Sequence, residues 1–326
     1  SPAYIYQQKD ENEVPEEISY LRKAIGLLQY LTITRMDIIT ELNMIAKRMH
    51  KPTRNDINAV KEIAKYISTT SDLGIKYNNG VDIQLNAYAD ASWASEDSYS
   101  RTGYCISLGH ANGCIYAYSK VQSIIALSSQ NSEIIALTEA TRMIMHYRML
   151  LGELNFQQLQ PTRIGEDNEG AISFAQGRPN VDRTRHIEIK FRYCQEKTLD
   201  NEIKPVSIDT KLQLADMFTK SIGVQSNQQF TFLRDQVMGH ASKEQYHDLN
   251  TSMLAIVKAK SLQTDIYALT PEQNQSILST TNFTSHEQDI ELKEIKKIGS
   301  LTQNAQNKGG ENDSIGRTYS PSYVCT

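Results

Sequence analysis

The sequence predicts a mixed α/β domain preceded by a small helical segment. Three observations carry that expectation. Apolar residues from Ile18 to Ile67 recur at helical spacing. From about residue 83, three runs with strand character follow one another across short turns. Beyond Ser128, helical and strand patterns alternate, as they do when helices pack on a sheet.

Residues 1–16 are polar and acidic, an extended lead-in. From Glu17 to Leu31 the apolar positions Ile18, Leu21, Ile25, Leu28 and Leu31 share one helix face. A second helix is expected from about Asp37 to Met49 and a third from about Asn55 to Ile67. Pro52-Thr53-Arg54-Asn55 separates them, with Asn55 or Thr53 as cap. Taken alone, this is a small helical bundle that only packs. Asn79-Gly80 signals a turn. Strands follow at about 83–93, 102–109 and 113–119, the last two joined by a hairpin loop from Gly109 to Gly113.

A long helix from about Asn131 to Leu154 carries the stripe Ile134, Leu137, Ala140, Ile144, Tyr147 and Leu151, which reads as core. Ile164 marks a fourth strand. Short helices are expected at Gly170–Ala175 and Glu188–Lys197, a fifth strand at Ile203–Ile208, and a helix at Leu212–Ser221. After Gly223 the composition turns to Gln, Asn, Ser and Thr. Residues 240–270 suit one or two weak helices, and 299–326 read as disordered.

With 326 residues the chain is long enough for one to three domains and a sizeable core. A net charge of −4 argues against nonspecific nucleic-acid binding through overall charge, but not against a local basic groove. The four cysteines show neither metal-ligand spacing nor a disulfide framework; Cys105 and Cys114 read as small core residues. No run of about 18 apolar residues is present, so no membrane span is expected. No signal peptide is recognisable, and the Ser1-Pro2 start reads as a processed product or a fragment.

Four acids stand out from this background. Asp90 lies inside the small and apolar run Leu85-Asn86-Ala87-Tyr88-Ala89-Asp90-Ala91-Ser92-Trp93-Ala94, where a carboxylate is costly unless something cationic receives it. Glu133 sits one turn into a helix that Ser128 or Ser129 can cap. Asp167 ends the short apolar strand of Ile164, and Asp216 lies on the amphipathic helix stretch Leu212-Gln213-Leu214-Ala215-Asp216-Met217-Phe218-Thr219-Lys220. Acids drawn from separate elements suit a two-metal carboxylate site. Two Mg²⁺ ions about 3.5–4 Å apart activate water and neutralise charge on attacking and leaving oxygens, with carboxylates as hard ligands. Without metal each pair at ~5 Å repels by about 3 kcal/mol at an effective dielectric of ~20, so raised pKa values are expected. Glu166 is left out because strand alternation points it away from Asp167, and Glu139 because helix geometry turns it away from Glu133. Arg178, Arg183, Arg185, Lys190 and Arg192, with His186 among them, form the most basic stretch of this region. They suit a polyanion's approach; a solvated helix-entry loop is the plainer alternative.

Six stretches together resemble the ribonuclease H domain of copia-type retrotransposon Pol polyproteins, in order and spacing. They are Tyr88-Ala89-Asp90-Ala91, Arg101-Thr102-Gly103-Tyr104, Ala126-Leu127-Ser128-Ser129 with Glu133, Asp167-Asn168, Arg183-Thr184-Arg185-His186-Ile187, and Leu214-Ala215-Asp216-Met217-Phe218-Thr219-Lys220. The stretch from Tyr20 to Leu31, continuing through Asp72-Leu73-Gly74-Ile75-Lys76-Tyr77, resembles the segment that joins polymerase to nuclease in that family. Gln229 to Gly239 resembles its end. The Tyr-x-Asp-Asp polymerase motif is absent, so no DNA synthesis is expected.

The resemblance implies a ribonuclease H-like mixed five-stranded sheet with flanking helices. It divides the chain into a connection segment at 1–80, a nuclease domain at 81–223 and a tail at 224–326. The implied activity is metal-dependent endonucleolytic cleavage of RNA in RNA–DNA hybrids. Asp90, Glu133, Asp167 and Asp216 would be the catalytic, metal-holding acids, for two Mg²⁺ ions with Mn²⁺ as an alternative. Arg183, Arg185, His186 and Lys190 would contact the hybrid. The reverse transcriptase part of the same polyprotein is an implied partner, and a cytoplasmic virus-like particle or the nucleus an implied location, with no membrane. Ser92 and Asn131 stand where the family usually has acids, and Asp209-Thr210-Lys211 lacks the mobile histidine of many ribonucleases H. His186 reads either as a substrate or product contact or as a structural helix-start residue. A different class of reading is an inactive or co-opted relic that binds nucleic acid or protein without cleavage. A third is another nuclease or an integrase of the same superfold, which the long helix after the third strand disfavours.

Overall fold

The apolar periodicities of the sequence become two faces of one sheet and a helical cluster beside it. The computed structural model describes residues 18–78, 83–96, 98–109, 112–177, 192–221 and 227–241. The Asn79-Gly80 turn, the centre of the 109–113 loop, the basic stretch at 178–191 and the tail from 242 lie outside the described residues.

Helix α1 spans Ile18–Leu31, α2 Ile39–Ala46 after a 3-10 turn at Met36–Ile38, and α3 Arg54–Thr69. Thr53 caps α3 through a capping box. Its side chain accepts from Asp56 N–H, and the Asp56 carboxylate accepts from Thr53 N–H at 2.9 Å. Leu21, Ile25 and Leu28 of α1 pack with Leu42 and Ile45 of α2 and Ile57, Val60 and Ile63 of α3. Each such buried side chain contributes about 1.5–3 kcal/mol. This cluster is tied to the sheet domain: Asn43 donates to Ser119 O at 2.8 Å, and Thr40 donates to Met217 O at 2.8 Å.

The sheet comprises β1 (Leu85–Glu96), β2 (Tyr99–Leu108), β3 (Cys114–Val121), β4 (Thr162–Glu166) and β5 (Ile203–Ser207), in the order β3-β2-β1-β4-β5. The pairs β1–β2 and β2–β3 are antiparallel, and β1–β4 and β4–β5 are parallel. This is the mixed five-stranded sheet with flanking helices that the sequence resemblance implied. Parallel neighbours need crossovers, which α4 (Ser129–Glu153), α5 (Glu169–Ala175) and α6 (Arg192–Leu199) provide.

Alternation along β1 sends Leu85, Ala87 and Ala89 to one face. There they meet Ile134, Leu137, Ala140, Ile144 and Leu151 of α4, so the stripe is core as read. Tyr88 points to the other face, toward Phe218, Phe230, Leu233 and Val237. Phe218 lies on α7 (Asp216–Thr219) and the other three on α8 (Asn227–Val237). Cys105 and Cys114 are buried in this second core, as expected of small core residues. The expected helix Leu212–Ser221 is broken in two. A 3-10 turn covers Thr210–Leu212, and Gln213 takes φ −71°, ψ 99°, so α7 holds only four residues. The break has a tertiary cause. Buried Gln213 donates from Nε2 to Ala89 O at 2.8 Å, across the seam where β1 meets β4.

A candidate metal centre at the sheet end

Asp90 enters the site from the middle of the sheet. It lies opposite Gly103 of β2, and a Cβ there would meet Thr219 Cγ2 at 2.6 Å and Phe218 Cβ at 2.8 Å. Only glycine leaves room for α7 to lie against the strand. Through that contact Thr219 Oγ1 donates to Asp90 Oδ2, and Asp216 comes beside Asp90.

Glu133 arrives on α4, whose start is fixed from several sides. Ser128 is the cap, accepting from Asn131 N–H at 3.2 Å. Gln122 Nε2 donates to Thr102 Oγ1 and Ser132 O, both at 3.0 Å, and Trp93 Nε1 donates to Ala126 O at 3.1 Å. Asp167 follows the last residue of β4. The next residue, Asn168, caps α5 by accepting from Ala171 N–H at 3.1 Å.

These elements bring Asp90, Glu133 and Asp167 together, each offering a carboxylate oxygen within 4.8 Å of the others. Asp216 stands next to them with its Oδ1 bonded to Lys220 Nζ at 2.5 Å, an i,i+4 pair. The three converging groups are hard oxygen donors, and Oε2 of Glu133 is buried without a hydrogen-bond partner. Such an atom is costly until a proton or a cation meets it, so the donor set fits a small divalent ion.

The electrostatics follow from crowding. Burial, then the charge of Asp216, pushes Asp90 up from 3.8 to about 7, partly offset by Lys220 and the Thr219 hydroxyl. Burial, then Glu166, Asp90 and Asp167, pushes Glu133 up to about 11, although the Ala91 N–H favours its charged form. Burial also raises Asp216, with Lys220 opposing. Fixed negative charge of this kind binds an external cation or holds protons.

Glu166 corrects the sequence expectation. Strand alternation points it away from Asp167, yet it is fully buried and its carboxyl is raised by burial and then by Asp90 and Asp167. The alternation rule fails because β4 ends at Glu166, so Asp167 is already outside the pleat. Lys220 and Thr219 were also missed as site residues. The Asp216-x-x-x-Lys220 spacing was the available signal, since residues four apart on a helix face one another. Glu139 pairs with Arg142 at 2.9 Å on the outer side of α4, as its displacement predicted. Arg183, Arg185, His186 and Lys190 lie outside the described residues.

Among the described residues no helix is long and apolar enough to cross a membrane. No protein-family model matches the chain. It resembles the solved structure of LC11-RNase H1 in complex with an RNA/DNA hybrid, with a TM-score of 0.33 and 16% identity over 41% of this chain and 93% of that one. The retrovirus-related Pol polyprotein from transposon RE2 of Arabidopsis thaliana is 32% identical over 221 residues, 67% of this chain and 15% of that protein. The Pol polyprotein from transposon TNT 1-94 of Nicotiana tabacum is 30% identical over 202 residues, 61% of this chain and 15% of its own length. The chain thus spans about a seventh of these relatives. The sequence homologues of this chain are thus retrovirus-related Pol polyproteins of copia-type transposons.

Proposed function

We propose that the chain is the ribonuclease H part of such a polyprotein and cleaves the RNA strand of RNA–DNA hybrids endonucleolytically. The observation that carries this reading is the convergence of Asp90, Glu133 and Asp167 from three different elements. In the same reading, residues 1–80 are the connection to a polymerase, 81–223 the nuclease and 224–326 a tail.

Asp90, Glu133 and Asp167 would hold Mg²⁺, or Mn²⁺ in its place, with Asp216 as the fourth ligand. Bound there, such ions would supply an activated water and neutralise charge on the attacking and leaving oxygens. The protein's own groups do the positioning. The Thr219 hydroxyl orients the Asp90 carboxylate, and the Ala91 N–H orients Glu133. Lys220 keeps Asp216 paired, and its ammonium can turn to a substrate phosphate when Asp216 is otherwise engaged. Hybrid is distinguished from other duplexes by the RNA 2′-hydroxyl and by groove shape, not by base edges. Arg183, Arg185, His186 and Lys190 are proposed to meet the backbone. Replacing Arg183 and Arg185 with Ala should weaken hybrid binding and lower its salt slope by roughly one to two. A polyprotein of this kind works in a cytoplasmic particle or the nucleus, beside its own reverse transcriptase.

A labelled RNA–DNA hybrid, incubated with the full chain with and without Mg²⁺, tests the reading. Mg²⁺-dependent cuts in the RNA strand, absent from Asp90→Asn, are expected. An uncut hybrid and a melting point indifferent to Mg²⁺ would leave a non-cutting relic of the site.

A further inference from the structure

Glu166 does more at the sheet end than cap a turn. Its Oε1 accepts the N–H of Asn168 at 3.0 Å, which holds the carboxylate still where the chain leaves β4. Its Oε2 is buried without a hydrogen-bond partner, in a residue that is 0% exposed. The Asp167 N–H reaches the same carboxyl, yet Oε2 still has no partner, so the turn-capping role leaves the second oxygen unexplained. Glu133 repeats the pattern from the helix side. The Ala91 N–H reaches its carboxyl, while its own Oε2 is buried and unpartnered. Glu166 is also the neighbouring charge that weighs most on Glu133. Lys220, a basic group at this end of the sheet among the described residues, is engaged by Asp216 and Asp90. Two immobilised carboxylates, each with one open oxygen, make a donor pair for a small hard cation.

We propose that Glu166 is a fifth metal-facing carboxylate, whose unpartnered Oε2 joins that of Glu133 on one divalent cation beside the Asp90–Glu133–Asp167 group. The proposal deepens the metal-site reading given above and rests on it. It concerns how many ions the site takes and how tightly, independently of whether hybrid is cut. Glu133 neighbours both Glu166 and the acids Asp90 and Asp167, so a cation held with Glu166 also aligns the carboxylate that the three-acid group uses. Glu166 thereby acts on two levels, as a ligand and as the support of Glu133.

Mn²⁺ alone is the probe, titrated into the full chain and followed by calorimetry and by electron paramagnetic resonance of the free ion. Glu166→Gln keeps the shape and the acceptor for Asn168 N–H, and Glu166→Ser keeps a smaller acceptor should the amide not be tolerated. Melting in EDTA establishes that each variant is folded. The expected result is that the parent binds Mn²⁺ and that either folded variant loses one equivalent or about tenfold or more in affinity. Melting in EDTA should be unchanged or higher for Glu166→Gln, because a buried ionisable carboxyl among acids gives way to a neutral amide. If Asp90→Asn weakens Mn²⁺ binding while Glu166→Gln and Glu166→Ser match the parent, Glu166 is only a turn cap and this inference is overturned alone. If the parent takes up no Mn²⁺, the inference and the metal-site reading fall together.

Discussion

Asp37 and Asp56 in the helical segment are as deeply buried as Asp90 and Glu133 at the sheet end, yet the two regions satisfy their acids in different ways. Asp37 receives a two-pronged bond from Arg35, at 3.0 and 2.8 Å, and a third from the Tyr66 hydroxyl at 2.6 Å. Asp56 receives Arg48 at 2.5 Å and both the N–H and hydroxyl of Thr53. At the sheet end, acids face acids. Asp90 is pushed up by burial and then by Asp216, Glu133 by burial and then by Glu166, and among the described residues the ammonium of Lys220 is set against several carboxylates. An acid buried with its own guanidinium is part of the scaffold. Acids buried against one another leave a charge for something outside the chain to balance.

The largest effect should separate the regions by activity. Asp90→Asn or Glu133→Gln should lower hybrid cleavage by about a thousandfold or more, equivalent to about 4 kcal/mol of transition-state stabilisation, with the fold intact by circular dichroism. Asp37→Ala should do the reverse, leaving cleavage by the folded fraction near normal. Stranding Arg35 should cost about 3–5 kcal/mol in denaturant unfolding. Should Asp90→Asn destabilise in EDTA as Asp37→Ala does, the contrast between the regions collapses.

The pH dependence of stability in EDTA comes next. Folded Asp90 keeps its proton up to about pH 7, against an ordinary value of 3.8. Between those values the unfolded chain binds fewer protons than the folded one, so stability falls as pH rises through that window; Glu133, protonated to still higher pH, adds to the slope and carries it on above pH 7. The loss due to Asp90 is at most about 4 kcal/mol, and the coupling with Asp216 divides it between the two. Asp90→Asn should flatten this slope in urea titrations at pH 4.5 and 7.5; an unchanged slope would assign it to other groups. Mg²⁺ at about 10–100 times its dissociation constant should then stabilise the parent by about 1.4–2.7 kcal/mol and Asp90→Asn by less. The smallest effect belongs to Glu139, paired with Arg142 on the open face of α4. Glu139→Ala should change unfolding free energy by about 0.5 kcal/mol or less, the scale of an exposed pair.

Much of this was legible because the signals are local. The stripe from Ile134 to Leu151 needs only a 3.6-residue period, and the Thr53 and Ser128 caps only a hydroxyl ahead of a helix start. Asp90 was conspicuous because a carboxylate in an apolar strand is a cost that calls for a reason. What escaped is non-local. Gln213 looked like an ordinary helix residue, but its amide is captured by Ala89 O, 124 positions away, and the helix breaks there. Glu166 obeyed strand alternation on paper, while the end of β4 released Asp167 from the rule.

By itself the sequence determined which residues pair with water and which with one another: the periods, the caps, the acids stranded in apolar runs and the six motifs in series. It did so because those preferences reside in single side chains and their near neighbours. Tertiary structure alone decided which acids share a space. Gly103 admits α7 to the sheet, Gln213 stitches the β1–β4 seam, and the parallel β1–β4 pairing sets the end of β4 beside Asp90. Electrostatic repulsion falls off with distance, so whether a carboxylate is a neighbour or a stranger depends on folded coordinates. That is why Lys220 and Glu166 became members of the site only once the chain had folded.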